Sequence, residues 1–213
     1  MKKLFFALIS FLFIENQLDA QFNFGLIGGI SSVDIKPSTL NITDKNKLDS
    51  FSLAFDNADY GFHFGGFVRI SIQSFYIQPE LVFNSNRTTF KYKKFKSAQF
   101  YDTLFLKERY QYLDIPLMLG LKLGILRFNA GPVAHIFINN KSELTDLNGY
   151  ESKFQTATFG YQMGIGFDLS KIMFDLRYEG NFTKFGEHIN FNGTKYAFDK
   201  GPSRLIATLG LKF

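Results

Sequence analysis

The feature that most constrains this chain is an alternation of period two, sustained in eight separate segments. They fall near residues 23–33, 60–70, 75–84, 109–121, 125–138, 155–169, 172–182 and 204–213, and in each one apolar side chains alternate with small or polar ones. The last segment places Leu205, Ala207, Leu209, Leu211 and Phe213 on one face and Thr208, Gly210 and Lys212 on the other. The seventh sets Ile172, Phe174, Leu176 and Tyr178 against Met173, Asp175, Arg177 and Glu179. No window after residue 20 carries a long apolar run or an apolar repeat at helical spacing, so the chain is predicted to be all-β.

The second face decides which all-β architecture this is. Solvated strands of a soluble sandwich would carry Lys, Glu and Thr there. Here that face is rich in Gly with isolated charges of both signs, as in Gly160, Gln162, Gly164, Gly166 and Asp168 opposite Phe159, Tyr161, Met163, Ile165 and Phe167. Small or mutually paired residues suit the interior of a narrow barrel, and the aliphatic and aromatic face then meets lipid. The connections alternate as well: 71–74, 122–124 and 170–171 are tight, whereas 34–59, 85–108, 139–154 and 183–203 are long. Transmembrane barrels alternate short periplasmic turns with long external loops in this way. The expected fold is an eight-stranded antiparallel up-and-down transmembrane β-barrel with both termini on the periplasmic side.

The N-terminus fits that destination. Met1-Lys2-Lys3 precedes an apolar run from Leu4 to Ile14 broken only by Ser10, and Ala20 offers a small residue before a cut. This is the pattern of a secretory leader, too short for a spanning helix. Residues 1–20 are expected to be a cleaved signal peptide and 21–213 one barrel domain, exported to the outer membrane of a Gram-negative bacterium. The absence of Cys excludes a disulfide framework and Cys-based metal or nucleophile chemistry.

The formal net charge of +5 is local. Between Ser85 and Arg109, the cations Arg87, Lys91, Lys93, Lys94, Lys96, Lys107 and Arg109 face only Asp102 and Glu108, and the rest of the mature chain is neutral overall. So confined a basic balance argues against a nucleic-acid partner. Within it, Lys91, Tyr92, Lys93, Lys94 and Lys96 interleave aromatic and basic groups. They are the candidate contacts for an anionic surface: the phosphates of lipopolysaccharide, or a surface ligand or protein.

Alternation also names the charges expected to point inward: Arg69, Glu80, Asp114, Asp168, Asp175, Arg177 and Glu179, joined by His63, Lys122, Arg127, His135 and Lys212. An unpaired buried charge costs several kcal/mol, so these groups are expected to pair and to plug a lumen that eight strands already make narrow. Catalytic signatures are lacking: the sequence has no HExxH, no Gly-x-Ser-x-Gly and no phosphate loop, and His135 and Ser142 are merely near in sequence. No cofactor, metal or catalytic residue is expected.

The run Tyr112-Leu113-Asp114-Ile115-Pro116-Leu117-Met118-Leu119-Gly120 resembles the signature of a widespread family of outer-membrane β-barrels of the PorT-like or porin-family type. Gly131-Pro132, Gly164-Ile165-Gly166 and Asp175-Leu176-Arg177-Tyr178 agree with it, and the resemblance spans essentially the whole mature chain. The closing Phe213, with apolar residues at every second position before it, is similar to the signal such barrels present to their assembly machinery. The resemblance implies a fold and a compartment, and brings no active site. The function expected is a non-enzymatic structural or surface-interaction role in the membrane. The alternatives are a narrow pore or transport or secretion accessory and, from a different class, a lipid-modifying enzyme.

Overall fold

The computed structural model describes residues 20–34, 39–43, 49–58, 60–96, 99–147, 150–152, 154–183, 188–196 and 203–213. The expected leader, but for Ala20, lies outside them. In chain order the strands are β1 (Ala20–Asp34), β2 (Thr39–Thr43), β3 (Asp49–Ala58), β4 (Tyr60–Ile72), β5 (Phe75–Lys96), β6 (Gln99–Leu123), β7 (Leu126–Ser142), β8 (Tyr150–Ser152), β9 (Ala157–Leu169), β10 (Ile172–Asn181), β11 (Ile189–Phe191), β12 (Thr194–Tyr196) and β13 (Ser203–Lys212). A short 3-10 turn, Glu143–Asp146, separates β7 from β8.

Eight of these strands close on themselves. β1 pairs with β4, then β5, β6, β7, β9, β10 and β13 follow in order, and β13 returns to β1, every pairing antiparallel. Closure leaves the ring no free edge, the condition for backbone to sit in hydrocarbon. These eight strands are the eight alternating segments of the sequence. Tight reversals join β4 to β5, β6 to β7 and β9 to β10, with Gln73, Gly124 and Ser170 at φ of 54°, 64° and 57°. Each turn is stitched to the next: Lys122 N–H donates to Ser74 O at 2.6 Å, Asp168 N–H to Ile125 O at 2.8 Å and Lys212 N–H to Lys171 O at 2.7 Å.

The two faces divide as the alternation requires. Phe22, Phe24, Phe64, Leu81, Leu119, Phe159, Ile172 and Leu209 are among a continuous set of exposed large apolar side chains on the outer wall, where water would reject them and lipid would not. Inside, polar and charged residues are buried. Glycine makes room for them: a Cβ on Gly166 would lie 2.5 Å from Asp175 Oδ1 and 2.7 Å from Arg127 Nη2, so a larger residue there would break that pair apart.

The long connections depart from the loop reading. Residues 85–96 and 99–108 form the upper halves of β5 and β6, paired from Ser85↔Gln111 up to Lys96↔Gln99. Above the ring, β3 replaces β4 beside β5, from Ala58↔Thr88 to Asp49↔Lys96, and β2 pairs on its outer side. β8, β11 and β12 make a separate three-stranded sheet. Apart from a small cluster of Ile27, Phe67, Val82 and Met173 inside the ring, these parts share a second hydrophobic core of Leu53, Phe90, Tyr92, Leu144, Tyr150, Ile189 and Phe191 at the end of the barrel opposite the tight turns. Long antiparallel hairpins and short strands satisfy backbone hydrogen bonds while each contributes one or two apolar anchors, so the described parts of the connections fold into a cap.

Candidate functional site

The barrel interior is an ionic stack. Five cations, Arg69, Arg127, Arg177, Arg204 and Lys212, meet five carboxylates, Glu80, Asp114, Asp168, Asp175 and Glu179. At the turn end, Asp168 is shared by Arg69 at 2.8 Å, Lys212 at 3.1 Å and the half-exposed Lys122 at 3.7 Å. Arg127 Nε lies 2.7 Å from Asp168 Oδ1 without hydrogen-bond alignment, a charge contact only. The Tyr76 ring is held between Arg69 and Arg127, whose guanidinium carbons lie 4.8 and 5.8 Å from its centroid.

In the middle layer, Asp175 accepts from Arg127 Nη2 at 2.9 Å and Asn129 at 3.0 Å, and Arg177 grips both oxygens of Glu80 at 2.7 and 2.9 Å. Such forked pairing is the strongest form of charge-assisted bond. Toward the cap, Arg204 donates to both oxygens of Glu179 at 2.7 Å and to Asp114 at 3.0 Å. Gln162 and Asn84 complete the two carboxylates at 2.9 and 2.8 Å. His135 Nδ1 lies 2.7 Å from Asp114 Oδ1; the carboxylate can only accept, so that nitrogen carries the proton. His63 bonds Thr208 at 2.9 Å. A cavity of about 20 Å³ remains beside His63, Glu80 and Arg177, room for about one water.

All seven charges singled out as inward-facing are buried here, together with Arg127, His63 and His135. Arg204 was missed, although it lies at the same parity as Thr208 and Lys212; the apolar Ile206 between them hid the series. Asp114, His135 and Glu179 offer ligand atoms within 4.8 Å of one another, a geometry that could hold a metal ion. Arg204 already joins the two carboxylates, so an ion would have to displace a guanidinium. His135 and Ser142 sit seven residues apart on β7, roughly 20 Å along a strand. The Ser142 hydroxyl is engaged in accepting from Leu144 N–H at 3.2 Å. They do not form a catalytic pair.

The cap carries its own polar latch. Glu108, on β6, accepts from Tyr110 OH at 2.6 Å and from Tyr150 OH at 3.4 Å, and lies 3.2 Å from His188 Nε2. The His188 ring stacks on Phe154 at 4.3 Å, and Phe154 on Phe137 at 4.2 Å. Burial works to raise the Glu108 carboxyl, but the charge and hydrogen bond of His188, with Tyr110 and Ser142, hold it below its ordinary value. Burial, then Glu108, push the Tyr110 hydroxyl well up.

A depressed carboxylate contributes stability that is present above its ordinary pKa of about 4.5 and is lost as pH falls through the lower folded value. Amide exchange over residues 188–196, corrected for intrinsic rates, is therefore expected to accelerate below that point, and a Glu108→Gln variant should lack the dependence. Identical pH profiles for the two proteins would remove Glu108 as the cause.

Of the basic contact candidates, Lys91 and Lys93 are half-buried, with Lys91 Nζ 5.6 Å from the Phe105 ring centroid. Tyr92 is turned into the cap core at 9% exposure, so a contact surface at this place keeps the lysines and loses the tyrosine. The side chains of Lys94 and Lys96 lie outside the described ones.

The family model of the outer membrane protein β-barrel domain matches residues 15–187. The crystal structure of the outer membrane protease OmpT from Escherichia coli is similar with a TM-score of 0.48 at 10% identity, over 92% of this chain and 97% of that one. No curated protein matches the sequence.

Proposed function

The chain belongs to the outer membrane protein β-barrel domain family and is an outer-membrane barrel; from that premise we propose that it acts as a closed, capped barrel with a structural or surface-interaction role. The short turns then face the periplasm and the cap faces outward, following the loop-length rule for such barrels. The observation that carries the reading is the charge-balanced stack beneath a folded cap: each carboxylate of the lumen is held by at least one arginine. An ion crossing would have to part forked pairs in a medium of low dielectric, where an uncompensated charge is costly. Such a lumen functions as a plug.

Planar-bilayer recordings of the purified protein are expected to show no reproducible unitary steps. Regular steps abolished by neutralising Arg204 or Arg177 would replace this reading with that of a narrow pore or transport accessory. Among the described residues the buried Asp–His pair, Asp114 with His135, points into the salt-bridge stack, and Glu108 with His188 is packed inside the cap, so neither supports the enzyme alternative. Unchanged lipid A mass spectra from cells with and without the gene are the expected result, and a mass difference would overturn it.

A further inference from the structure

The outer wall changes character in rows as it rises from β5 across β6 to β7. Phe83, Leu113 and Ile136 lie opposite one another in register, an apolar row. Two residues higher on β5 and β6, and three on β7 across a register shift, the buried Ser85 is paired with Gln111 and Gln111 meets Asn139, a polar row. Two residues higher again, Arg87 lies directly opposite Arg109, and Arg109 directly opposite Lys141. Three cations thus stand side by side on adjacent strands about 4.8 Å apart. Burial alternates around them, Asn86, Glu108 and Tyr110 being buried inside, so Arg87, Arg109 and Lys141 point outward.

Like charges directly opposite across strands repel and destabilise a sheet. Elsewhere this chain pairs its charges closely, yet among the described residues no carboxylate meets these three side chains. The neighbouring Glu143 carboxylate is engaged with the Lys107 N–H at 2.8 Å. The row sits four residues above the apolar row on β5 and β6 and five on β7, about 14 Å along a tilted strand. That is the depth of lipid headgroups, within reach of long side chains that bend back toward the interface.

We propose that Arg87, Arg109 and Lys141 form a binding site for the phosphates of the outer-leaflet glycolipid. A run of three adjacent cations fits a headgroup carrying more than one phosphate better than a singly charged phospholipid, and arginine grips phosphate through two parallel donors. The proposal rests on the cap end facing outward; its test, made on purified protein, does not.

Native mass spectrometry of the full-length barrel, released from micelles containing bisphosphorylated lipid A, is expected to retain that lipid. Retention should fall about tenfold or more when the lipid is dephosphorylated, and equally when Arg87, Arg109 and Lys141 are all changed to Gln, in keeping with loss of charge-assisted bonds. The variant should keep the heat-modifiable gel shift of a folded barrel, since all three groups lie on the surface. Equal retention by wild type and variant, or equal retention of phosphatidylglycerol and lipid A, would overturn the assignment. A barrel that binds the glycolipid and also conducts would leave this site standing while removing the closed-barrel reading.

Discussion

Changing Arg204 to Met is expected to destabilise the barrel by about 3–5 kcal/mol, the usual consequence of removing one partner from a buried ionic group. Arg204 supplies two bonds to Glu179 and one to Asp114, and the side chains of these carboxylates are 0% and 4% exposed. Asp114 keeps His135 and Asn84, but Glu179 keeps only Gln162 at bonding distance. Most of the cost therefore falls on Glu179, and adding Glu179→Gln to the Arg204→Met variant should recover more than half of it. Urea titration of the barrel refolded in micelles measures both. By contrast Lys122→Met, at a 43% exposed rim position 3.7 Å from Asp168, should change stability by less than about 1 kcal/mol. If the Arg204 and Lys122 variants lost equal stability, the stack would be a solvated feature rather than a buried one.

Much of this interior was legible in sequence because strand geometry converts parity directly into direction. A charge at an odd or even place in an alternating run can only face in or out, and lipid forbids out. Arg69, Glu80, Asp114, Asp168, Asp175, Arg177 and Glu179 followed from that rule alone. Arg204 followed from it too, but the strand reads Arg204-Leu205-Ile206-Ala207, so apolar residues on both faces blurred the series at the strand's start. Pair partners were not legible, because they depend on register. Arg177 meets Glu80 across the lumen, 97 residues away in sequence.

The cap was not legible for a different reason. Its anchors Leu53, Phe90, Leu144 and Ile189 come from four separate connections, and no local period marks them as a core. The segment 88–96 stands out in the sequence for its lysines, yet Phe90 and Tyr92, at the opposite parity to Lys91 and Lys93, carry the packing. The lysines set this segment apart from the apolar wall, but only the register shows that β5 and β6 stay paired through it.

Two cores joined by shared strands imply two separable stabilities, and Phe90 tests that. It is fully buried at the centre of the cap, on the part of β5 that pairs with β3 on one side and β6 on the other. Phe90→Ala removes most of a ring from packed surroundings, a change costing about 3–5 kcal/mol where the site cannot collapse. The closed ring between β4 and β5 begins only at Phe62↔Ser85, five residues below, and none of its lumen pairs uses Phe90. The expected result is that protease cleaves the connections around residues 143–156 and 188–196 far faster in the variant, while the gel shift of the folded barrel is retained. A barrel that unfolds together with its cap would mean that the two cores form one cooperative unit. The cap would then be part of what holds the ring closed, and a partner that opened it could do so only by loosening the lumen stack as well.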